Sequence, residues 1–268
     1  MEWQYFKPKF QYEKVFPDLI WGWAGHKYFI YDFIRNIKPK IIVELGTHNG
    51  TSFFSMCQAV KDEKLPTKLT AIDTWKGDRH SGFYDNSIFN NVNKIKSTYY
   101  RKLKIRLLRK TFNQAVANFK DKTIDILHID GLHIYEAVKN DYNNWFPKVK
   151  DDGFIILHDI CEKTKDFGVY ILWEELKKKF GTLQFYHSSG FGILFKNRSS
   201  YLSLKKISND WPSYYLQIYE NKLIAHIRKI EGLNIFYKQS LDTITSSKTY
   251  KIWQRYCQLR KTLLGKKS

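Results

Sequence analysis

Five short apolar runs, each followed by a spacer of helix length, constrain the fold more than any other feature of this chain. They are Ile41–Val43, Leu69–Ile72, Ile105–Leu108, Ile124–Ile129 and Phe154–Leu157. Strand-like runs alternating with such spacers predict βαβ units and a parallel sheet. The spacer after the fourth run carries Ile134, Val138, Tyr142 and Trp145 at helical spacing and stops at Pro147 and the turn Lys150-Asp151-Asp152-Gly153, which marks a crossover helix. Leu183–His187 and Gly192–Phe195 flank Ser188-Ser189-Gly190 and predict a hairpin that adds an antiparallel edge. The expected organisation is a cap segment over 1–40, with a helix from His26 to Ile37, then an α/β core over 41–198. A basic helical extension over 199–268 follows, with helices around Pro212–Ile230 and Ser247–Leu264.

Within the 268 residues, 43% hydrophobic content is enough for a buried core and excludes disorder as the main state. The apolar runs are too short to span a bilayer, and the start Met1-Glu2-Trp3-Gln4 has no secretory pattern. Cys57, Cys161 and Cys257 are odd in number and widely spaced, which leaves neither a disulfide framework nor a cysteine zinc site. A cytoplasmic location is expected. Forty-five Lys and Arg against 26 Asp and Glu give a net charge of +19, suited to anionic partners. Residues 201–268 hold 13 basic and 4 acidic side chains, so +9 of that excess lies in the tail. Its Ile252, Trp253, Tyr256, Cys257, Leu263 and Leu264 fall near one helical stripe. Such a stripe packs within the protein, joins subunits into a homo-oligomer or lies on an anionic inner membrane face.

The first run leads into Glu44-Leu45-Gly46-Thr47-His48-Asn49-Gly50-Thr51-Ser52. Glycines here let a ligand approach the backbone, and the following helix offers free N–H groups. The pattern E-x-G-x-x-x-G lacks the dinucleotide fingerprint and suits a nucleoside without pyrophosphate. The second run ends at Asp73, where a carboxylate can accept ribose hydroxyls, and Thr74 and Trp75 follow, the latter able to shield an adenine. The fourth run enters His128-Ile129-Asp130-Gly131-Leu132-His133, and the fifth enters His158-Asp159. Both ends fall on the carboxyl edge of a parallel sheet, where ligands bind. Two carboxylates with imidazoles there form a constellation for a divalent metal and a base.

Glu44–Gly50, Ala71–Asp78, Thr111–Ala115, Ile124–Tyr135 and Phe154–Asp159 together resemble the class I S-adenosylmethionine (SAM) dependent methyltransferases. More narrowly they are similar to the sugar and small-molecule O-methyltransferases of the macrocin and mycinamicin type, often found with glycosyltransferases. The likeness runs over roughly 20–196 and includes Trp23-Ala24-Gly25-His26, His80–Tyr84 and Asp166–Val169. It implies a Rossmann-like seven-stranded sheet. It implies a cofactor site of Glu44, Gly46, Thr47, Asn49, Gly50, Ser52, Asp73, Thr74, Trp75, Thr111 and Asp130. Asp130 and His133 match an Asp-x-x-His pair that supplies a metal ligand and the catalytic base, and Asp159 matches a second acidic ligand. His158 stands where those enzymes carry Glu, which bears on whether Mg or Mn is held by Asp130, His158 and Asp159. Trp23, His26, His80 and Tyr84 fall at the acceptor end, with His80–Tyr84 a lid.

The expected activity is SAM-dependent O-methylation of a sugar hydroxyl on a surface glycan or nucleotide-linked sugar. A phosphate, phosphoramidate or RNA acceptor is the alternative within enzymes, although no RNA-binding module motif accompanies the charge. A non-catalytic partner in a polysaccharide assembly complex is the alternative outside them.

Overall fold

A computed structural model describes residues 2–16, 22–164, 166–248, 251, 254 and 255. Seven strands form one sheet: β1 (Ile41–Leu45), β2 (Lys68–Asp73), β5 (Lys104–Arg109), β6 (Ile124–Ile129), β7 (Val149–His158), β8 (Gly181–Phe185) and β9 (Phe191–Phe195), in the order β5-β2-β1-β6-β7-β9-β8. β9 is antiparallel to both its neighbours and the remaining pairings are parallel, so the expected Rossmann-like sheet with its hairpin is present. The short strands β3 (Gly77–Asp78) and β4 (Gly82–Phe83) make a separate ladder over the region expected to form a lid.

Alternation along each strand explains the three layers. Ile42, Ile126, Phe154, Ile156 and Ile193 point to one face, covered by α1 (Lys27–Ile37) and α2 (Thr51–Asp62). Val43, Leu127, Ile155, Leu157 and Leu194 point to the other, covered by α5 (Tyr135–Trp145) and α6 (Val169–Lys177). α3 (Asn86–Tyr99) and α4 (Phe112–Ala115) flank β5 in sequence. Thr111 starts α4 with a capping box, its hydroxyl accepting from the Gln114 N–H while the Gln114 side chain accepts from the Thr111 N–H.

The chain divides into two compact units, the first ending at Tyr219 and the second starting at Glu220. Beyond residue 198, α7 (Arg198–Lys205) and the start of α8 (Trp211–Ser246) bury Leu204, Trp211 and Tyr215 in the same core as Phe29 and Phe33. The segment over 2–16 joins that core too. Trp3 packs against Trp211 with ring centroids 4.0 Å apart, and Asp32 accepts from both the Phe6 N–H (3.2 Å) and the Tyr215 hydroxyl (2.7 Å). The helix expected to stop near Ile230 continues to Ser246, since no Pro or αL glycine interrupts it. In the second unit Ile224, Ile227, Ile230, Leu233 and Leu241 are exposed. The stripe expected over Ser247–Leu264 falls almost wholly outside the described residues. No helix among the described residues is long and apolar enough to cross a membrane.

Candidate active site

A cavity of about 1070 Å³ opens along the carboxyl edge of β1, β2, β6 and β7. That size suits a cofactor with room for a second ligand. At one part of its wall the turn after β1 holds Gly46 and Gly50 in the left-handed region, at φ 85° and 87°. A Cβ on Gly46 would stand 1.8 Å from the Asp130 carbonyl oxygen, so only glycine lets the turns after β1 and β6 meet. The Asp130 N–H in turn donates to the Leu45 carbonyl at 2.8 Å. Thr47, Asn49 and Ser52 line the cavity, as do Thr74 and Thr111.

Asp73 lies in the same wall, with its carboxylate already accepting three backbone N–H groups. Thr47 and His48 donate to Oδ2 at 2.9 Å each, and Trp75 donates to Oδ1 at 2.7 Å. The residue therefore folds the glycine turn onto the end of β2 and keeps about one free lone pair, on Oδ1, for a ligand hydroxyl.

Three residues expected at the site stand behind its wall. Glu44 is fully buried beneath the turn, where its Oε2 receives His128 Nδ1 at 2.9 Å. Glu44 and His128 are register partners on β1 and β6 and share a face, which is the physical reason they pair. Burial raises the Glu44 carboxyl above its ordinary range, against the lowering pull of His128. Trp75 is buried with its indole N–H on the His48 carbonyl and its ring against Phe89, so it belongs to the core. His26 is stacked on His187, 4.6 Å between centroids, and burial holds its imidazole well below the usual histidine range.

Asp130, His133 and Asp159 do converge. His133 Nε2 lies 3.3 Å from Asp130 Oδ1 and 2.9 Å from Asp159 Oδ2. His158 Nδ1 is 3.2 Å from Asp159 Oδ2 and 3.8 Å from Asp130 Oδ1. Asp159 reaches this position through a left-handed backbone, φ 59°, an unusual conformation for a non-glycine residue. Trp23 donates its indole N–H to Asp130 Oδ2 at 2.8 Å and stacks on the His158 ring at 5.3 Å, so the N-terminal segment completes the site.

Charge in the cluster is balanced within itself. Burial alone would lower the two imidazoles, but the carboxylates of Asp130 and Asp159 overcome it and raise His133 to about 10 and His158 to about 9. Burial works to raise the two carboxyls, yet the surrounding imidazoles hold both below the ordinary range. Ligand atoms from Asp130, His133 and Asp159 all lie within 4.8 Å of one another, a spacing compatible with one cation. His158 Nδ1 faces the same two carboxylates from the end of β7.

Above the cluster, Phe167 stacks on both His133 (4.8 Å) and His80 (4.7 Å). The His80 imidazole Nε2 meets Asp166 Oδ1 at 2.6 Å, and Arg79 also pairs with Asp166. The β3–β4 ladder is thereby tied to the loop before α6, with Tyr84 lining the cavity beneath. The contacts of Phe167, Asp166 and His128 escape sequence reasoning, although their segments were singled out, because they join parts far apart in the chain. A signal for His128 did exist, in its spacing two residues before Asp130 on a strand beside Glu44.

The seven-strand order with its antiparallel edge hairpin is that of the Rossmann-like methyltransferase fold. Residues 43–160 match the methyltransferase domain family Methyltransf_24. Among curated proteins the chain is 41% identical over 174 residues to a Sinorhizobium fredii protein described as uncharacterized protein y4gI. That match takes in 65% of this chain and only 19% of the relative, so the chain spans about a fifth of the curated protein it matches. Among solved structures, the O-methyltransferase TomG from Streptomyces achromogenes, determined with SAM, superposes at a TM-score of 0.50 with 13% identity, covering 69% of this chain and 86% of that one. A candidate caffeoyl-CoA O-methyltransferase from Staphylococcus aureus does so at 0.50 with 18% identity, covering 64% and 82%.

Proposed function

We propose that this protein uses SAM to methylate a hydroxyl oxygen, and that the acceptor is a sugar of a glycan or a nucleotide-linked sugar. The observation that carries the reading is the meeting of Asp130, His133 and Asp159 in one cavity with the Gly46–Gly50 turn. Bound SAM supplies an electrophilic methyl group on a sulfonium. The chain fits such a ligand: helix α2 begins at the turn with its unpaired N–H groups, and Asp73 retains an acceptor position.

The protein's own part is to hold an acceptor oxygen in line and to take its proton. Trp23 fixes the Asp130 carboxylate, and Phe167 fixes the plane of His133. Two facing carboxylates outweigh burial and raise the proton affinity of His133 to a pKa of about 10. Positive charge entering the cluster lowers that affinity and leaves His133 able to accept the acceptor's proton. Asp130, Asp159 and one imidazole of the cluster would hold Mg or Mn, and such an ion would lower the acceptor's pKa. His80, tied down by Asp166, and Tyr84, packed against His48, form the roof that excludes water, while the exposed apolar residues of α8 and the basic tail are the surfaces for a homo-oligomer or an anionic inner membrane face.

The test is calorimetric SAM titration of the full chain followed by an acceptor screen with sugars, nucleotide sugars, phosphorylated compounds and RNA. His133→Ala should bind SAM as tightly as the native protein and lose roughly 10²- to 10⁴-fold in kcat. Near-native turnover by that variant on its acceptor would make the Asp-x-x-His turn structural. SAM binding with no acceptor turned over would favour the assembly-partner role.

A further inference from the structure

One buried acid at the cavity takes no part in the cluster just described. Asp141 stands on α5, is only 7% exposed, and has no ion-pair partner among the described residues. No side-chain or backbone donor makes a hydrogen bond to its carboxyl among the described residues, the Asn140 amide being turned to Asn113. Burial pushes it up to about 7, with Asn140 pulling the other way. A buried carboxyl so poorly supplied with donors is costly unless a ligand brings one.

Its surroundings say what kind of ligand would do so. Asp141 shares its stretch of wall with Thr111, Phe112 and Asn113 from the turn after β5 and with Ala137 and Asn140 from its own helix. A Cβ on Gly131 would come within 2.4 Å of the Phe112 ring and 3.6 Å of Asp141 Oδ2, so the absence of a side chain there brings an aromatic ring and a carboxyl to the same spot. Beyond them the Asn140 Nδ2 donates to Asn113 Oδ1 at 3.1 Å, adding amides to the edge. An apolar ring with a hydrogen-bond acceptor and amides at its rim suits a flat heterocycle that carries an exocyclic amino group.

We propose that Asp141 accepts a hydrogen bond from the 6-amino group of the cofactor's adenine and so sets the protein's preference for a 6-aminopurine. This rests on the reading of the cavity as a SAM site. Asp141 is then a specificity residue for the cofactor, contributed by the crossover helix and not by the turns at the strand ends.

The experiment compares S-adenosylhomocysteine with its 6-oxo analogue, S-inosylhomocysteine, by titration calorimetry on the full chain. The native protein should prefer the adenosine form by roughly 10- to 100-fold, the value of one hydrogen bond to a charged or partly charged group. Asp141→Ala should lose that preference by weakening the adenosine form alone. Asp141→Asn, which keeps the volume and the fold, should also narrow it, because an amide can donate to the 6-oxo group as readily as it accepts from the 6-amino group. If the native protein shows no preference, or both variants keep it in full, Asp141 does not read the base. If the native protein binds neither compound, it is the SAM reading that fails.

Discussion

Asp32 offers a test of the fold by pH. It sits on α1 at 2% exposure and ties together Phe6, from the N-terminal segment, and Tyr215, from the start of α8. Burial raises its carboxyl from the ordinary 3.8 to about 7, with the bonds from Tyr215 and Phe6 and the charge of Arg35 pulling it down by less. A group whose affinity for protons is higher folded than unfolded adds stability below its unfolded pKa and loses it as pH rises through its folded pKa. A displacement of that size corresponds to about 4 kcal/mol at full expression, and local relaxation brings the expected figure to roughly 2–4 kcal/mol between pH 4 and pH 8. Asp32→Asn cannot ionise, yet its carbonyl still accepts from the Phe6 N–H. The assay is urea unfolding of both proteins at several pH values, followed by tryptophan fluorescence. Asp141, also raised to about 7 by burial, contributes equally to both proteins and cancels in the difference. The variant should gain on the native protein steadily as pH rises. A difference that stays flat from pH 4 to pH 8 would refute the claim that Asp32 is buried without adequate compensation.

Three further outcomes are expected. Asp73→Ala should weaken SAM binding by about 1.5–3 kcal/mol and, because three backbone N–H groups lose their acceptor, should also lower the melting temperature; unchanged affinity in calorimetry would remove Asp73 from the ribose site. Chelation should abolish turnover and Mg²⁺ or Mn²⁺ should restore it, with Mn²⁺ favoured by imidazole ligands; a chelator-insensitive enzyme that still needs His133 would leave a metal-free base. Light scattering of the full chain and of a 1–246 truncation should differ in mass if the tail joins subunits, whereas loss of co-sedimentation with anionic liposomes on truncation would assign the tail to a membrane face.

What could be read from the sequence follows the range of the forces involved. Apolar runs such as Ile124–Ile129 announce strands because burial on both faces of a sheet is a local requirement, and Gly46 and Gly50 announce a turn because their backbone angles exclude other residues. The convergence of Asp130, His133 and Asp159 followed from their shared place at strand ends. A carboxylate beside a glycine turn looks like a ligand group, and only the strand across from Glu44 places His128 in register to hold it behind the wall. Trp75 and His26 are buried too, since an aromatic residue next to a motif packs into the core as readily as into a cavity. Nothing local in Trp23 told of its bond to Asp130, a residue 107 positions away.

The interlock of Gly46 with the Asp130 carbonyl has an evolutionary consequence. The glycine turn and the acidic cluster form a single casting, so neither can be re-aimed without disturbing the other. New acceptors can therefore be accommodated only by parts outside that casting: the segment bearing Trp23, the ladder bearing His80 and Tyr84, and the loop bearing Asp166 and Phe167. A lineage built on this chain would keep that casting while those three pieces drift, and divergence in the ligands it admits should be written there.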